Sequence, residues 1–191
     1  MEMVKIVSLE EGDILEEKGD YIILSGYLVC KAFRQLIYFT QTGDFISTEV
    51  ASSYSAVHYE AKSPVHLMHI STDSEKVVEF RDTLHQKIMA CSMRRLDIFL
   101  GTVEERLSAL LYQAGIEMGV LQKDNSCVLP YMITQKEMAE YIGCTREYLF
   151  GIRRKLIKQG KITDSRAWTL LEWDEWKRDA ILLYGETAFI N

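Results

Sequence analysis

The sequence predicts an α+β chain: an antiparallel β-barrel or sandwich first, a long helical segment second, and a helix-turn-helix with a wing last. Three observations carry this. Short apolar runs broken by glycine-containing pairs fill residues 3–70. From residue 74 to about residue 118 there is no proline, and apolar positions fall at helical spacing. Residues 135–156 then carry the small, glycine and apolar positions that two steeply crossing helices require. At 191 residues and 48% hydrophobic content, the chain has room for more than one core.

The first region, residues 1–72, reads as strands. Its runs are residues 4–7, 21–24, 27–29, 36–39 and 65–70, rich in Ile, Val, Tyr and Phe. Glu11-Gly12-Asp13, Lys18-Gly19-Asp20, Ser25-Gly26 and Thr42-Gly43-Asp44 separate them. Many short strands at close spacing predict an antiparallel barrel or sandwich, and no helix-length periodic stretch interrupts them.

The second region, residues 73–118, carries two apolar stripes. One runs Met89, Met93, Leu96, Leu100, Val103, Leu107 and Leu110; the other is Leu84, Ile88, Cys91 and Ile98, interrupted by Arg95. Two stripes on one helix need two surfaces to cover them. The parent domain covers one, and a second copy of the chain is the natural cover for the other. Leu84, Ile88, Met89, Met93, Leu96 and Leu100 are therefore expected at a homodimer interface. Gly101-Thr102 breaks the run, and Thr102 with Glu105 makes a capping box for a following shorter helix.

The third region, residues 119–191, opens with a connector containing Pro130. Counting Gln135 as position one, Ala139 stands at five, Ile142 at eight, Gly143 at nine, Leu149 at fifteen and Ile152 at eighteen. Crossing helices touch near position five, so only a small side chain fits there. Gly143 can take the left-handed conformation that ends the first helix. Thr134 and Glu137 form another capping box. Residues 161–163 and 168–171 flank Asp164-Ser165-Arg166-Ala167 as a small hairpin or wing, and residues 174–183 read as a short terminal helix.

Charge supports a nucleic-acid role once its distribution is read. The net value is −6, but residues 134–161 hold seven Lys/Arg against three Glu, while residues 1–70 hold five basic and ten acidic groups. A basic island in an acidic chain is the footprint of a local DNA-binding surface. Arg146, Arg153, Arg154 and Lys155 all stand on the second helix of the motif. No run approaches the roughly 20 apolar residues that span a bilayer, and no leading signal sequence is present, so a cytoplasmic chain without membrane partners is expected. Cys30, Cys91, Cys127 and Cys144 lack any C-x-x-C pairing, which suggests packing rather than a zinc site or disulfides. No metal site is expected.

Barrel, long helix and winged helix-turn-helix in this order resemble the family of the cyclic-AMP receptor protein and FNR, the Crp/Fnr regulators. The resemblance is strongest over Ile133-Thr134-Gln135-Lys136-Glu137-Met138-Ala139-Glu140-Tyr141-Ile142-Gly143-Cys144-Thr145-Arg146-Glu147. Glu11-Gly12-Asp13, Tyr21-Ile22-Ile23-Leu24-Ser25-Gly26 and Thr42-Gly43-Asp44-Phe45 look like its barrel turns, and Val103-Glu104-Glu105-Arg106-Leu107 like its segment past the dimer helix. The resemblance implies a jelly-roll β-roll of the cyclic-nucleotide-binding type, a dimerisation helix and a winged DNA-binding domain. It further implies a homodimer on double-stranded DNA, reading a near-palindromic operator with recognition helices about one helical turn apart. RNA polymerase is a further expected partner, although no patch for it is legible.

Family base contacts fall on Arg146 and Glu147; the third position holds Gly151, which has no side chain to offer. An Arg fork suits guanine O6 and N7, and a carboxylate accepts from cytosine N4. Phe150 and Tyr148 are candidates for apolar contact with a thymine methyl. Phosphate contacts would map to Gln135, Lys136, Thr145 and Arg154, with Tyr148 beside them; these give affinity and register but little sequence information.

The barrel departs from the family. Where nucleotide binders carry a Gly-Glu pair, Ser47-Thr48 stands, with Glu49 one residue out of register. The phosphate-binding Arg is replaced by Tyr54, followed by Ser55. Without that cation a buried phosphate would be desolvated unpaired, which disfavours cyclic AMP or GMP. The loop over residues 47–55 also reads as too short for the family's phosphate-binding turn and small helix. No cofactor is expected, and any effector is an unidentified small molecule. Haem would need His58, His66, His69 or His85; His66 and His69, three apart on a strand, face opposite sides. Two other readings stand beside the regulated one: a constitutive DNA binder with a vestigial barrel, and a cupin-type metal enzyme, whose His-x-His and Glu spacing is missing here.

Overall fold

The computed structural model describes residues 5–54, 57–71, 75–131 and 133–185. The chain forms two compact units, Met1–Met93 and Arg94–Asn191. The boundary expected between residues 72 and 73, the Ser55 position and the end of the tail past residue 185 lie outside the described residues. The helical layer expected at residues 73–118 is divided between the units rather than standing alone.

The first unit is a β-roll. Its strands are β1 (Ile6–Leu9), β2 (Asp20–Ser25), β3 (Leu28–Ala32), β4 (Gln35–Thr40), β5 (Phe45–Ser47), β6 (Val57–Ala61) and β7 (Val65–Ile70). They form two sheets, β1-β7-β2-β5 and β4-β3-β6, with every pairing antiparallel. Alternation places Tyr21 and Ile23 of β2, Tyr59 and Ala61 of β6, and Val65 and Leu67 of β7 in one shared core. At its centre the Tyr38 and Tyr59 hydroxyls lie 2.9 Å apart, satisfying two groups that burial would otherwise penalise. Burial pushes the Cys30 thiol up to about 12, so it remains a protonated packing group at neutral pH.

Two expectations need correction here. A helix does interrupt the strands: α1 (Thr48–Ser53) follows β5, with the Ser47 hydroxyl capping the Val50 N–H at 3.2 Å. The small-helix part of the expectation is thus overturned, because the cap closes its first turn at once. The second correction concerns α2 (Glu75–Ile98). Leu84 and Ile88, expected at a dimer interface, are 4% and 2% exposed and belong with Cys91 to the β-roll core. The other expected interface residues differ: Met89, Met93, Leu96 and Leu100 are all more than half exposed.

Charge fixes α2 against the roll. Asp20 of β2 is fully buried, and Arg81 of α2 grips its carboxylate through Nε at 3.0 Å and Nη2 at 2.6 Å. The same guanidinium reaches Glu49 of α1 at 2.9 Å. One arginine therefore ties a strand, the short helix and the long helix together.

The second unit contains α3 (Val103–Met118), β8 (Val120–Leu121), β9 (Cys127–Val128), α4 (Gln135–Ile142), α5 (Arg146–Lys158), β10 (Thr169–Leu170) and α6 (Trp173–Tyr184). Thr102 and Glu105 form the predicted capping box at the start of α3, just past the break at Gly101. The wing is present, with Ile162 bridging Leu170, but its second arm pairs on the other side with β9. Strands β8 and β9 lie in the stretch expected to be only a connector. Trp173 of α6 stacks on Tyr112 of α3 with ring centroids 5.0 Å apart. Among the described residues no helix is long and apolar enough to cross a membrane.

Candidate nucleic-acid interface

The interface is built on α4 and α5. Thr134 and Glu137 make the capping box that starts α4. Gly143 ends it at φ 71°, a left-handed turn that a β-carbon would strain. Ala139, Ile142, Leu149, Ile152 and Leu156 are buried, so both helices present their inward faces to one core. The helical period then leaves Glu147, Phe150, Gly151, Arg154 and Lys158 on the outward side of α5, all of them exposed.

At the start of α5, Arg146 and Glu147 are both exposed. The Glu147 carboxyl is held below its ordinary value, first by its own backbone N–H and then by the Thr145 hydroxyl. It therefore stays an ionised acceptor, the form that cytosine N4 requires. Thr145 itself is engaged locally: its hydroxyl oxygen caps the Tyr148 N–H at 3.2 Å. Its part in the motif is first to start the helix, before any contact with a phosphate.

A cleft of about 480 Å³ opens between the starts of α4 and α5 and the wing, lined by Tyr131, Ile133, Thr134, Gln135, Lys136, Arg146, Arg153, Arg166 and Trp168. Four cations face one concavity beside the exposed N–H groups of a helix start, an arrangement suited to phosphate oxygens. Gln135 and Lys136 were expected in this role, and Arg146 as a base contact. Arg153, Arg166 and Tyr131 were not assigned one. Arg153 donates to the Ser165 carbonyl and lies 5.3 Å from the Trp168 ring centre, fastening α5 to the wing turn. Arg166 lies 5.0 Å over the Tyr131 ring. The fixed separation of residues 131, 153 and 166 in the sequence hid this grouping.

A second concavity, on the other flank of α5, is lined by Phe150, Arg153, Arg154, Ile157, Lys158 and Asp164. Arg154 sits 5.6 Å over the Phe150 ring, so the aromatic face and the cation form one surface. Lys155 points elsewhere, pairing with Glu104 of α3 at 2.6 Å.

Behind this surface, two arginines brace the motif. Arg95, which interrupts an apolar stripe in sequence, donates to the Tyr141 carbonyl at 3.0 Å and covers the Tyr141 ring at 4.0 Å. Arg106 donates to three carbonyls: Gly101 at 3.0 Å, Phe99 at 3.1 Å and Ile142 at 3.1 Å. These lie at the ends of α2 and α4, where carbonyls lack helical partners and the helix dipole favours a cation. Arg106→Ala is expected to cost about 1.5–3 kcal/mol. All three tryptophans, Trp168, Trp173 and Trp176, lie in the second unit, so their fluorescence during denaturation measures this loss directly.

In the β-roll, the positions that carry a nucleotide site in the resembling family are otherwise occupied. Ser47 caps α1, and Thr48 Oγ1 accepts from the Gly19 N–H at 2.8 Å. Glu49 pairs with Arg81, and Tyr54 Oη lies 3.1 Å from His85 Nδ1. The histidines are engaged separately: His66 with Ser8 at 3.0 Å, His69 edge-on to Tyr21, and His58 opposite Lys31 in the sheet.

No protein-family model and no curated protein matches the chain. Solved structures do share its fold. A transcriptional regulator of the CRP/FNR family from Thermus thermophilus superposes with a TM-score of 0.70 at 20% identity, covering 92% of this chain and 98% of that one. A cyclic nucleotide-binding domain containing protein from Listeria monocytogenes gives 0.70 at 19% identity, over 88% and 89%. A c-di-GMP responsive global regulator from Xanthomonas campestris gives 0.69 at 15% identity, over 88% and 94%. The fold is that of the Crp/Fnr regulators.

Proposed function

We infer that this chain, built on the Crp/Fnr fold, is a sequence-specific DNA-binding transcription regulator rather than an enzyme. It acts as a homodimer, with α5 of each copy in the major groove of a near-palindromic operator. The single observation that carries this reading is the cleft where Lys136, Arg146, Arg153 and Arg166 converge beside the exposed start of α4. Such a cluster neutralises phosphates and sets the register, while the outward residues of α5 meet base edges. Arg146 and Glu147 supply a donor fork and an acceptor suited to a G·C-containing half-site.

Selection of bound duplexes from a random pool tests the reading; enrichment of an inverted repeat is expected. Arg146→Ala is expected to weaken binding to that repeat by about 1–3 kcal/mol and to relax preference at one base pair per half-site. Gel shifts against the selected and the scrambled duplex measure both effects. Equal loss on the two duplexes would make Arg146 a phosphate contact only.

Cyclic AMP and GMP are poor candidates as effectors. Arg81 is committed to Asp20 and Glu49, and Tyr54 to His85, so the roll offers a nucleotide phosphate no ready cation at these positions. The buried Tyr38–Tyr59 pair filling the roll favours a second reading, in which the roll is a scaffold and DNA binding is constitutive. Stabilisation by a small molecule in thermal melting separates the regulated form of the proposal from the constitutive one.

A further inference from the structure

Two polar residues interrupt the exposed apolar stripe of α2. Val78, Met89, Met93 and Leu96 share one side of the helix, and all are more than half exposed. Steps of four, three and four residues carry that side from Val78 through Asp82 and His85 to Met89. Asp82 and His85 therefore stand on the face that a second copy covers, with apolar residues before and after them. Leu84 and Ile88 lie on the other side, in the roll core.

The surroundings of the pair set its chemistry. Among the described residues, the Asp82 carboxylate has no hydrogen-bond or ion-pair partner. The nearby cations of α2 are turned to the roll: Arg81 holds Asp20 and Glu49, and Lys87 lies 4.9 Å over the Tyr38 ring. Two-fold symmetry sets Asp82 against its own copy, so two like charges in a desolvated seam need positive charge from elsewhere. His85 stands about one helical turn further on, and Tyr54 Oη lies 3.1 Å from its Nδ1. That contact orients the ring and leaves Nε2 as the nitrogen for a ligand, as outer partners do for metal-binding imidazoles.

A carboxylate and a neutral imidazole both offer lone pairs. Two of each, gathered within one turn about a two-fold axis, make a four-ligand set of nitrogen and oxygen suited to a divalent ion such as zinc. We propose that Asp82 and His85 of two copies bind one zinc-class divalent cation across the α2 seam. A single chain does not complete such a site: among its described residues no three metal-ligating side chains cluster. Sequence spacing hides it as well, because half the ligands come from the other copy. The proposal rests on the homodimer inferred above and adds a regulator to it. An ion that only the dimer binds strengthens the dimer, and operator affinity rises with it.

The test uses the full chain, stripped of metal with a chelator, and cobalt(II) as the spectroscopic probe. One cobalt per dimer is expected, with the strong visible absorption of tetrahedral coordination. With free zinc at about ten times its dissociation constant, the dimer is expected to tighten about tenfold in sedimentation equilibrium. Asp82→Asn is expected to dimerise more tightly than the wild type without metal, because the like charges are gone, and to lose the response to zinc. A carboxylate that merely faces solvent does not produce that combination. His85→Ala is expected to abolish the cobalt band, and Tyr54→Phe to weaken cobalt binding about tenfold at unchanged stoichiometry. A wild-type dimer with no cobalt band and no response to zinc would overturn the proposal and leave the homodimer standing. So would cobalt binding that survives in both Asp82→Asn and His85→Ala. Tightening on acidification with chelator present, and none with zinc, would replace the metal by a direct pair between Asp82 and a protonated His85. A chain that stays monomeric with and without zinc would overturn both the site and the homodimer.

Discussion

Leu96→Glu is expected to convert the proposed dimer to a monomer and to lower its operator affinity by about 10²–10⁴-fold. Met89, Met93, Leu96 and Leu100 follow one another at steps of three and four and are 52%, 55%, 64% and 89% exposed. Met89, Met93 and Leu96 form an apolar stripe on the second half of α2 that Leu100 continues just past its end, larger than scattered surface hydrophobics. In the proposed dimer a second copy covers this stripe with its own. A carboxylate at Leu96 would then be buried against its symmetry mate, two like charges in a desolvated seam. The folded monomer has no such objection, since Leu96 faces solvent there. Light scattering measures the oligomer, and a gel shift measures the affinity. A Leu96→Glu protein that remains dimeric with full affinity would remove this stripe from the interface.

Arg81→Ala is expected to destabilise the first unit by about 3–5 kcal/mol, the cost of leaving a buried carboxylate without its partner. Asp20 is 0% exposed, and Arg81 supplies both prongs of its fork. Asp20→Asn in the same chain is expected to recover part of the loss, because an amide is cheaper to bury than an ion. The tryptophans are confined to the second unit, so the two halves can be followed separately. Far-UV circular dichroism should show an early transition in Arg81→Ala while tryptophan fluorescence keeps its wild-type midpoint. A single late transition in both signals would mean that the pair contributes no net stability.

The helix-turn-helix was legible because its rules are local and steric. Ala139 at the crossing, Gly143 in the turn and the Thr134–Glu137 box each satisfy a constraint within a few residues, and the structure places all of them as read. The roll was less legible. Strand β6 mixes His58 and Glu60 with Tyr59, because Glu60 on its outer face pairs with Lys31 and Lys62, and that polarity masked the strand. The helix α1 is six residues long, too short for periodicity to reveal; only the Ser47 cap marks it. Leu84 and Ile88 lay on an apolar stripe like that of Met89 and Met93, and periodicity alone cannot say which stripe meets the roll. At the candidate interface, Arg146 and Glu147 were accessible to pattern, whereas Arg153 and Arg166 join the cleft only through tertiary pairing between α5 and the wing.

Glycine before a helix start usually suggests a swivel, and Gly101 sits where α2 gives way to α3. Arg106 removes that freedom by pinning the last carbonyls of one rod and the end of α4 to a single planar cation. The joint behaves as a rivet rather than a pivot. Twisting it would strip a guanidinium of three acceptors at once, each a charge-assisted bond that favours the present geometry.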